Sequence, residues 1–261
     1  MNAQSKLGKP VTEADSEASP EAPQGPDQAA LASFFGSLAH DLRSPLGVVT
    51  QALDELQADF AESLTDEHRL FLNLADRGVR RLGRIADTVS LLAALESGSF
   101  DLKAVQSIDL FDLVRDSVAA ANAIEPRREV EVTCEIPEGP CRLVADGERL
   151  SRALTEIMIN AVRHARRKAR LRIELASGEA RIAIEDDGMG VAPEWRANLF
   201  RRFTPRPSRS GLGMGLSIAH DVIAAHHGQL TLEASTLAPG RPGTTGACFV
   251  VSLPLPIPGS A

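Results

Sequence analysis

A histidine with acidic, basic and hydroxyl neighbours stands inside an amphipathic segment near the start of the chain. His40 is followed by Asp41, Arg43, Ser44 and Pro45. Large apolar residues recur around it at helical spacing, and on that helix His40 lies opposite the apolar face. An imidazole exposed to solvent beside a carboxylate is suited to accept a chemical group, and an exposed surface histidine with no role is the alternative. The apolar pattern continues past Pro45, so we expect a bend rather than a helix end.

A second set of polar residues lies on a helix predicted from Asp146 to Ala165. Glu156 and Asn160 are one turn apart on the same face, and Arg163 and His164 follow in the next turn. An asparagine oxygen can bind Mg²⁺, a hard cation that takes one or two protein ligands together with phosphate and water oxygens. The alternative is a polar patch on an otherwise apolar helix.

Two glycine-containing segments follow this helix. Asp186, Gly188 and Gly190 come directly after a predicted strand, which suits a tight turn whose carboxylate accepts a hydrogen bond from an adenine amine. Further on, a glycine-rich run opens a helix, where main-chain N–H groups can approach an anion. Taken alone, the Asp186 segment is equally compatible with an ordinary acidic turn, and the glycine-rich run is equally compatible with a flexible loop. The run and the aromatic residues before it comprise Phe200, Phe203, Gly211, Leu212, Gly213, Gly215 and Leu216.

The four segments, in this order, resemble the catalytic core of sensor histidine kinases, the autokinases of two-component signalling. The resemblance runs from about Ala32 to Pro254. It implies a dimeric phosphotransfer domain followed by a Bergerat-type (GHKL-like) domain that binds ATP and Mg²⁺. It further implies that His40 takes the γ-phosphoryl group of ATP and passes it to an aspartate of a response regulator. In the nucleotide site it implies that Asn160 binds Mg²⁺, that Asp186 binds adenine, and that the glycines and phenylalanines form the pocket and its lid.

Four positions depart from the family pattern. Glu156 stands where the family often has asparagine, and related ATPases of this fold use a glutamate there to activate water. Ser44 replaces a residue that often supports dephosphorylation of the partner, and Ala247 and Cys248 stand where serine or threonine is more usual. Two other functions therefore stay open beside the autokinase: a catalytically weak dimeric scaffold, and an ATPase that uses Glu156.

Hydrophobic periodicity predicts two folded domains between two tails. Residues 1–27 are acidic and poor in large apolar groups, which predicts disorder. Residues 28–98 predict a helical hairpin whose apolar stripes need a second copy of the chain, giving a homodimeric four-helix bundle. Residues 99–254 predict an α+β sandwich with helices on one face of a mixed sheet, and residues 255–261 form a tail. The predicted helices are Gln28 to Phe60, a second helix that follows a turn and cap at 64–67 and runs to about Leu95, Asp109 to Ala123, Asp146 to Ala165 and Leu212 to His226. The predicted strands are Glu129 to Ile136, Ala169 to Ala176, Ala180 to Ile184, Gln229 to Ala234 and Ala247 to Leu253.

Composition excludes some function classes. The net charge of −7 gives no electrostatic support for nucleic-acid binding. No apolar run reaches the length of about 18 residues that a membrane span needs, and the N-terminus lacks the apolar core of a secretion signal. The three cysteines lack metal-ligand spacing and suit reduced thiols, so we expect a cytoplasmic protein. Whether its signal comes from an upstream sensor protein stays open. His226 and His227 are poorly spaced for zinc and are expected to end a helix capped by Gly228.

Overall fold

The computed structural model describes residues 28–96, 100, 102, 104–127, 129–202, 214–237 and 246–256. Several predicted features lie outside these residues: the tail 1–27, the hinge 97–99, the basic segment 204–209, most of the final tail, and Phe203, Gly211, Leu212 and Gly213.

Two long helices form the N-terminal hairpin. Helix α1 spans Gln28–Asp59 and continues through Pro45, and helix α2 spans Asp66–Glu96. Oγ1 of Thr65 accepts the main-chain N–H of His68 at 3.2 Å at the start of α2. The predicted helical hairpin is therefore confirmed. Among the described residues, no helix combines the length and apolarity that crossing a bilayer requires.

The remaining elements form an α+β domain, as predicted. Two strands and one short helix, β1, β3 and α5, were not predicted from the sequence. In β3 the buried Leu143 and Ala145 alternate with the exposed Val144, but a strand of five residues beside a helix cap gives too short a pattern to recognise. The elements are β1 (Val105–Asp109), α3 (Leu110–Ile124), β2 (Glu131–Glu135), β3 (Arg142–Asp146), α4 (Gly147–His164), β4 (Lys168–Ala176), β5 (Glu179–Asp186), α5 (Pro193–Arg196), α6 (Gly215–Ala225), β6 (Gln229–Glu233) and β7 (Cys248–Pro254).

The five main strands form one mixed sheet in the order β2-β4-β5-β7-β6. Strands β2 and β4 are parallel and the other neighbours are antiparallel, while β1 and β3 form a separate antiparallel pair. Ile184 of β5 is paired with Leu171 on one side and Phe249 on the other, and all three are buried in the main core. Helices α3, α4 and α6 share that core. The sheet and its helices therefore place the end of β5 next to α4 and α6.

Side-chain hydrogen bonds fix where helix α4 begins. Oδ1 of Asp146 accepts the N–H of Arg149 at 3.2 Å, which caps the helix. The main-chain N–H of Asp146 donates to Nε2 of the buried His226 at 3.0 Å. His226 must therefore carry its proton on Nδ1, which donates to the carbonyl of Val222 at 2.8 Å. These bonds join the start of α4 to the end of α6.

The end of α6 differs in one respect from the expectation. The two histidines do follow the helix, but the left-handed residue is His227, with φ of 59°, and not Gly228. The N–H of Gly228 donates to the carbonyl of Ile223 at 2.9 Å. A Cβ on Gly228 would overlap the carbonyl oxygen of Ser252 in β7. Glycine is therefore required at 228 by the close approach of the neighbouring strand rather than by its own backbone angle.

Candidate active site

The histidine singled out in the sequence lies on the open surface of α1. Its side chain is 84% exposed and that of Asp41 is 79% exposed. Nδ1 of His40 lies 3.5 Å from Oδ1 of Asp41, a distance at which the carboxylate favours a proton on that nitrogen. Nε2 is then left with its lone pair directed to solvent. Ser44, one turn further on, is also exposed.

The arginine of the same segment connects three helices. Nε of Arg43 donates to Oδ1 of Asp87 on α2 at 3.0 Å. Oδ2 of Asp87 lies 3.9 Å from Nη1 of Arg152 on α4, and Nη2 of Arg152 donates to Oγ1 of Thr88 at 3.1 Å. These half-exposed pairs are individually weak, but together they hold α4 of the α+β domain against the hairpin near the His40 segment.

The carboxyl group of Asp186 is buried at the end of β5. Oδ1 accepts the N–H of Gly188 at 2.8 Å, and the main-chain N–H of Asp186 donates to the carbonyl of Ala247 at 2.9 Å. Oδ2 is buried without a hydrogen-bond partner among the described residues. Burial raises the pKa of this carboxyl to about 6. An unpaired buried acceptor costs about 1–3 kcal/mol, so its position marks a place for a ligand N–H group.

Glycines allow the backbone to close around Asp186. A Cβ on Gly188 would overlap the carbonyl oxygen of His164 at the end of α4. Gly190 has a φ of 72°, and Gly246 has a φ of 55° with the carbonyl of Asp186 where its Cβ would stand. The turn is therefore tight because α4 on one side and the start of β7 on the other pack against it.

Asp186 and Gly190 border one cavity of about 920 Å³, which is also lined by residues of α2, α4 and α6 and by the segment 124–127; the predicted Gly188 does not line it. The structure brings together predicted residues from all three C-terminal segments in this cavity. Apolar and aromatic side chains that were not predicted, among them Trp195 and Leu199, also line it. The predicted residues that line it are Glu156, Asn160, Arg163, His164, Asp186, Gly190, Gly215 and Leu216.

The polar residues of α4 differ in their surroundings. Asn160 is half-buried, and among the described residues its side chain has no hydrogen bond. Arg163 donates to Oε2 of Glu125 at 2.9 Å. A Cβ on Gly215 would lie 2.5 Å from Oε2 of Glu156, so the Glu156 carboxylate lies against the start of α6. A free amide oxygen and a buried free acceptor that line the same cavity fit a nucleotide with its metal ion.

Phe200 lies behind the cavity rather than in its wall. Its ring stacks on His220 with 5.3 Å between ring centroids, and it meets Phe249 edge-on at 6.5 Å. Phe249 itself lines the cavity. Phe200 therefore supports the wall and fixes the start of the segment that leads into the undescribed residues from Phe203 onward.

Residues from α2 were missed as part of this site. Arg77, Arg81, Arg84, Ile85 and Thr88 line the cavity, although the sequence assigned their helix to dimerisation. The spacing of the three arginines was the available signal, but an exposed basic row on a helix usually faces solvent.

The chain matches two family models. Residues 30–98 match the His Kinase A (phospho-acceptor) domain. Residues 145–257 match the histidine kinase-, DNA gyrase B-, and HSP90-like ATPase. The order of the two matches is the order of the hairpin and the α+β domain.

Curated relatives include sensor proteins. The chain is 28% identical over 223 residues to drug sensory protein A of Synechocystis sp. This alignment covers 78% of this chain and 33% of that protein. It is 29% identical over 232 residues to sensor histidine kinase MtrB of Mycolicibacterium paratuberculosis, covering 85% of this chain and 39% of that protein. For sensor histidine kinase RppB of Synechocystis sp. the identity is 28%, over 85% of this chain and 48% of that protein. The chain thus spans a third to a half of the curated relatives it matches.

Solved structures support the fold. Full-length ShkA in complex with AMPPNP aligns with a TM-score of 0.63 at 24% identity, covering 85% of this chain and 46% of that chain. The histidine kinase AdeS of Acinetobacter baumannii aligns with a TM-score of 0.54 at 20% identity, covering 84% of this chain and 98% of that chain. Both alignments cover the greater part of this chain, so the helical hairpin followed by a mixed-sheet domain is an arrangement that this chain shares with those two proteins.

Proposed function

The chain belongs to the sensor histidine kinase family, and on that premise we propose that it is an ATP-dependent autokinase that phosphorylates His40. The observation that carries the proposal is the unpaired buried oxygen of Asp186 in the wall of a large cavity. The adenine amine supplies the donor that this oxygen lacks. The exposed imidazole of His40 supplies a nucleophile.

The proposed chemistry transfers one phosphoryl group. Nε2 of His40 attacks the γ-phosphorus of ATP, the bond between that phosphorus and the bridging oxygen breaks, and ADP leaves with the bonding electrons. Asp41 holds the proton on Nδ1 and stabilises the positive charge that develops on the ring. A Mg²⁺ ion bound at Asn160 would offset negative charge on the phosphates.

The position of His40 bears on how transfer occurs. None of the described residues that line the cavity comes from α1. We infer that transfer needs either a movement of the α+β domain or the His40 of a second copy.

We also propose that the chain acts as a cytoplasmic homodimer and passes the phosphoryl group to an aspartate of a response-regulator receiver domain. An upstream sensor protein would supply the input. Exposed His40 is open to such a partner.

Replacement of the proposed phosphoacceptor gives the primary test. In H40Q, acid-labile phosphate from labelled ATP should fall to background, because glutamine offers no nucleophilic nitrogen. Nucleotide affinity measured by calorimetry should stay within about twofold of wild type, because His40 is outside the cavity. The matched control is H68Q, which removes an exposed histidine of α2 and should label normally. Labelling retained in H40Q contradicts the assignment.

An ATPase is the second candidate, and the position of Glu156 in the cavity favours considering it. The same reactions should be assayed for free phosphate. If the chain is an autokinase, H40Q should release phosphate only at the rate of a protein-free control. Release that persists in H40Q and disappears in H40Q/E156Q would identify an ATPase. Nucleotide binding without either product would identify a signalling scaffold.

A further inference from the structure

A row of arginines on α2 forms one wall of the nucleotide cavity. Arg77, Arg81 and Arg84 are four and three residues apart, so they share one face of the helix. All three line the cavity together with Ile85 and Thr88. The hairpin, which the family pattern assigns to dimerisation and phosphotransfer, therefore contributes positive charge to a site built mainly by the other domain.

Among the described residues these guanidinium groups have no ion pair and no side-chain hydrogen bond. Arg80, next to Arg81 on the same helix, does not line the cavity; it is bound at 2.8 Å to Asp76 and lies 3.9 Å from Asp54 of α1. Arg84 is half-buried, and burial lowers its pKa although Glu156 lies close enough to oppose that effect. A partly desolvated cation without a partner is costly unless an anion joins it.

The charge of the cavity wall favours an anion. Of the described residues that line it, five are arginines and three are acidic, and one of those acids, Glu125, is already paired with Arg163. Asp186 lines the same cavity from the end of β5, on a different element from the arginines. The unpaired cations are therefore concentrated on the α2 side, where a ligand anchored at Asp186 would have room to extend its charged end.

We propose that Arg81 and Arg84, with Arg77, bind the phosphate chain of the nucleotide, so that α2 completes the ATP site. The proposal rests on the proposed function, because it takes the cavity to be the ATP site. Guanidinium groups suit phosphate oxygens through paired N–H donors, and these bonds strengthen where water is partly excluded. Nucleotide that bridges both domains also couples them: whatever strengthens nucleotide binding strengthens the contact between α2 and the α+β domain.

Calorimetry on the full chain with Mg²⁺ and AMPPNP, ADP or adenosine as probes tests the role of the arginines. In R81A/R84A, affinity for AMPPNP should fall about tenfold or more and affinity for ADP by a smaller factor. Adenosine affinity should be unchanged. R81K/R84K should recover much of the loss, and R80A on the same helix should bind like wild type. The salt dependence of AMPPNP binding should also be less steep in R81A/R84A than in wild type, because fewer ion pairs form.

A second measurement reports the coupling directly. Amide hydrogen exchange in residues 77–88 of the wild-type chain should slow when AMPPNP is added and should not slow with adenosine. Equal AMPPNP affinity in wild type and R81A/R84A overturns this proposal alone and leaves the ATP site intact. Failure of wild type to bind any nucleotide overturns the proposed function as well. Equal losses of affinity for AMPPNP and adenosine in R81A/R84A would mean that the arginines act only through the fold, which also overturns the proposal.

Discussion

Three consecutive acidic residues at the end of β5 have different electrostatic environments. Burial would raise the pKa of Glu185, but bidentate hydrogen bonds from Arg170 at 2.9 and 2.7 Å contribute to holding that pKa below its usual value. Burial would also raise the pKa of Asp187, but main-chain N–H groups of residues 166–168 lower it further than burial raises it. Only Asp186, between them, has a raised pKa and a free oxygen. The middle carboxyl is therefore the one left available for a ligand.

The raised pKa of Asp186 predicts a specific dependence of stability on pH. The folded pKa of about 6 exceeds the usual value of 3.8, so the folded state binds more protons than the unfolded state between these values. The stability that this group contributes is fully present below pH 3.8 and is lost as pH rises through 6. The free energy of unfolding of wild type should therefore fall relative to that of D186N by about 2 kcal/mol between pH 4 and pH 7.

Urea denaturation followed by the fluorescence of Trp195, the single tryptophan, measures this difference. The same D186N variant should lose affinity for adenine nucleotides, because the amide presents a donor where the adenine amine needs an acceptor. A control variant, D187N, removes a carboxylate whose pKa is lowered and should show the opposite trend with pH. A pH-independent difference for D186N would show that the buried carboxyl does not titrate in this range.

The identity of these residues could be predicted from local sequence, but their environment could not. Asp186 and Gly188 follow a strand within a few residues, and that order alone indicates a tight acidic turn. The end of β5 is also held by Ala247, the residue before β7, whose carbonyl accepts the N–H of Asp186 from 61 positions later in the chain. The sequence marked Ala247 only as a departure from the family pattern, and Ala247 lines the cavity. Contacts of this kind depend on the register in which strands far apart in the sequence pair, and local sequence does not give that register.

At the scale of elements, one buried histidine joins the two helices that carry the nucleotide residues. His226 at the end of α6 accepts the N–H of Asp146 at the start of α4 and donates to Val222. The sequence predicted that this histidine ends a helix, which it does. Its partner lies 80 residues earlier, and no local pattern indicates a pairing over that distance.

Loss of this junction should destabilise the α+β domain. H226A removes two buried hydrogen bonds and leaves the N–H of Asp146 without its acceptor, so we expect a loss of about 2–3 kcal/mol in the free energy of unfolding. Denaturation followed by Trp195 fluorescence measures it. His227 provides the control: H227N keeps a residue that tolerates the left-handed conformation and should change stability by less than about 0.5 kcal/mol. Equal effects of the two substitutions would contradict a special role for His226.

At the scale of the whole molecule, the two parts of the chain differ in how far they bury their apolar surface. The α+β domain has a continuous core that reaches from α3 to β7. The hairpin leaves large side chains exposed along both helices, among them Phe71 at 57% and Leu82 at 52%. An apolar groove of about 410 Å³ lies near the turn, lined by Leu56, Phe60, Leu64, His68, Phe71 and Leu72.

Helical periodicity was sufficient to predict the hairpin and its unpaired face. It was not sufficient to predict that α2 also lies against the nucleotide cavity. A helix of this length can present two functional faces, one apolar towards a second copy and one basic towards the cavity. The apolar period is strong and dominates the sequence pattern, while the arginine row resembles an ordinary solvated face.

The unpaired apolar face predicts a dimer that a single charge should disrupt. Sedimentation of the wild-type chain should give twice the chain mass of 27.8 kDa at micromolar concentration. F71E introduces a carboxylate into the apolar face, and burying it unpaired costs several kcal/mol, so this variant should sediment as a monomer. N73E adds the same charge at an exposed polar position of α2 and should remain dimeric.

A wild-type monomer, or an F71E dimer of unchanged affinity, would show that some other surface covers the hairpin. Because the α+β domain has its own core, F71E should keep its nucleotide affinity and its Trp195 unfolding transition, which separates loss of the dimer from loss of the fold.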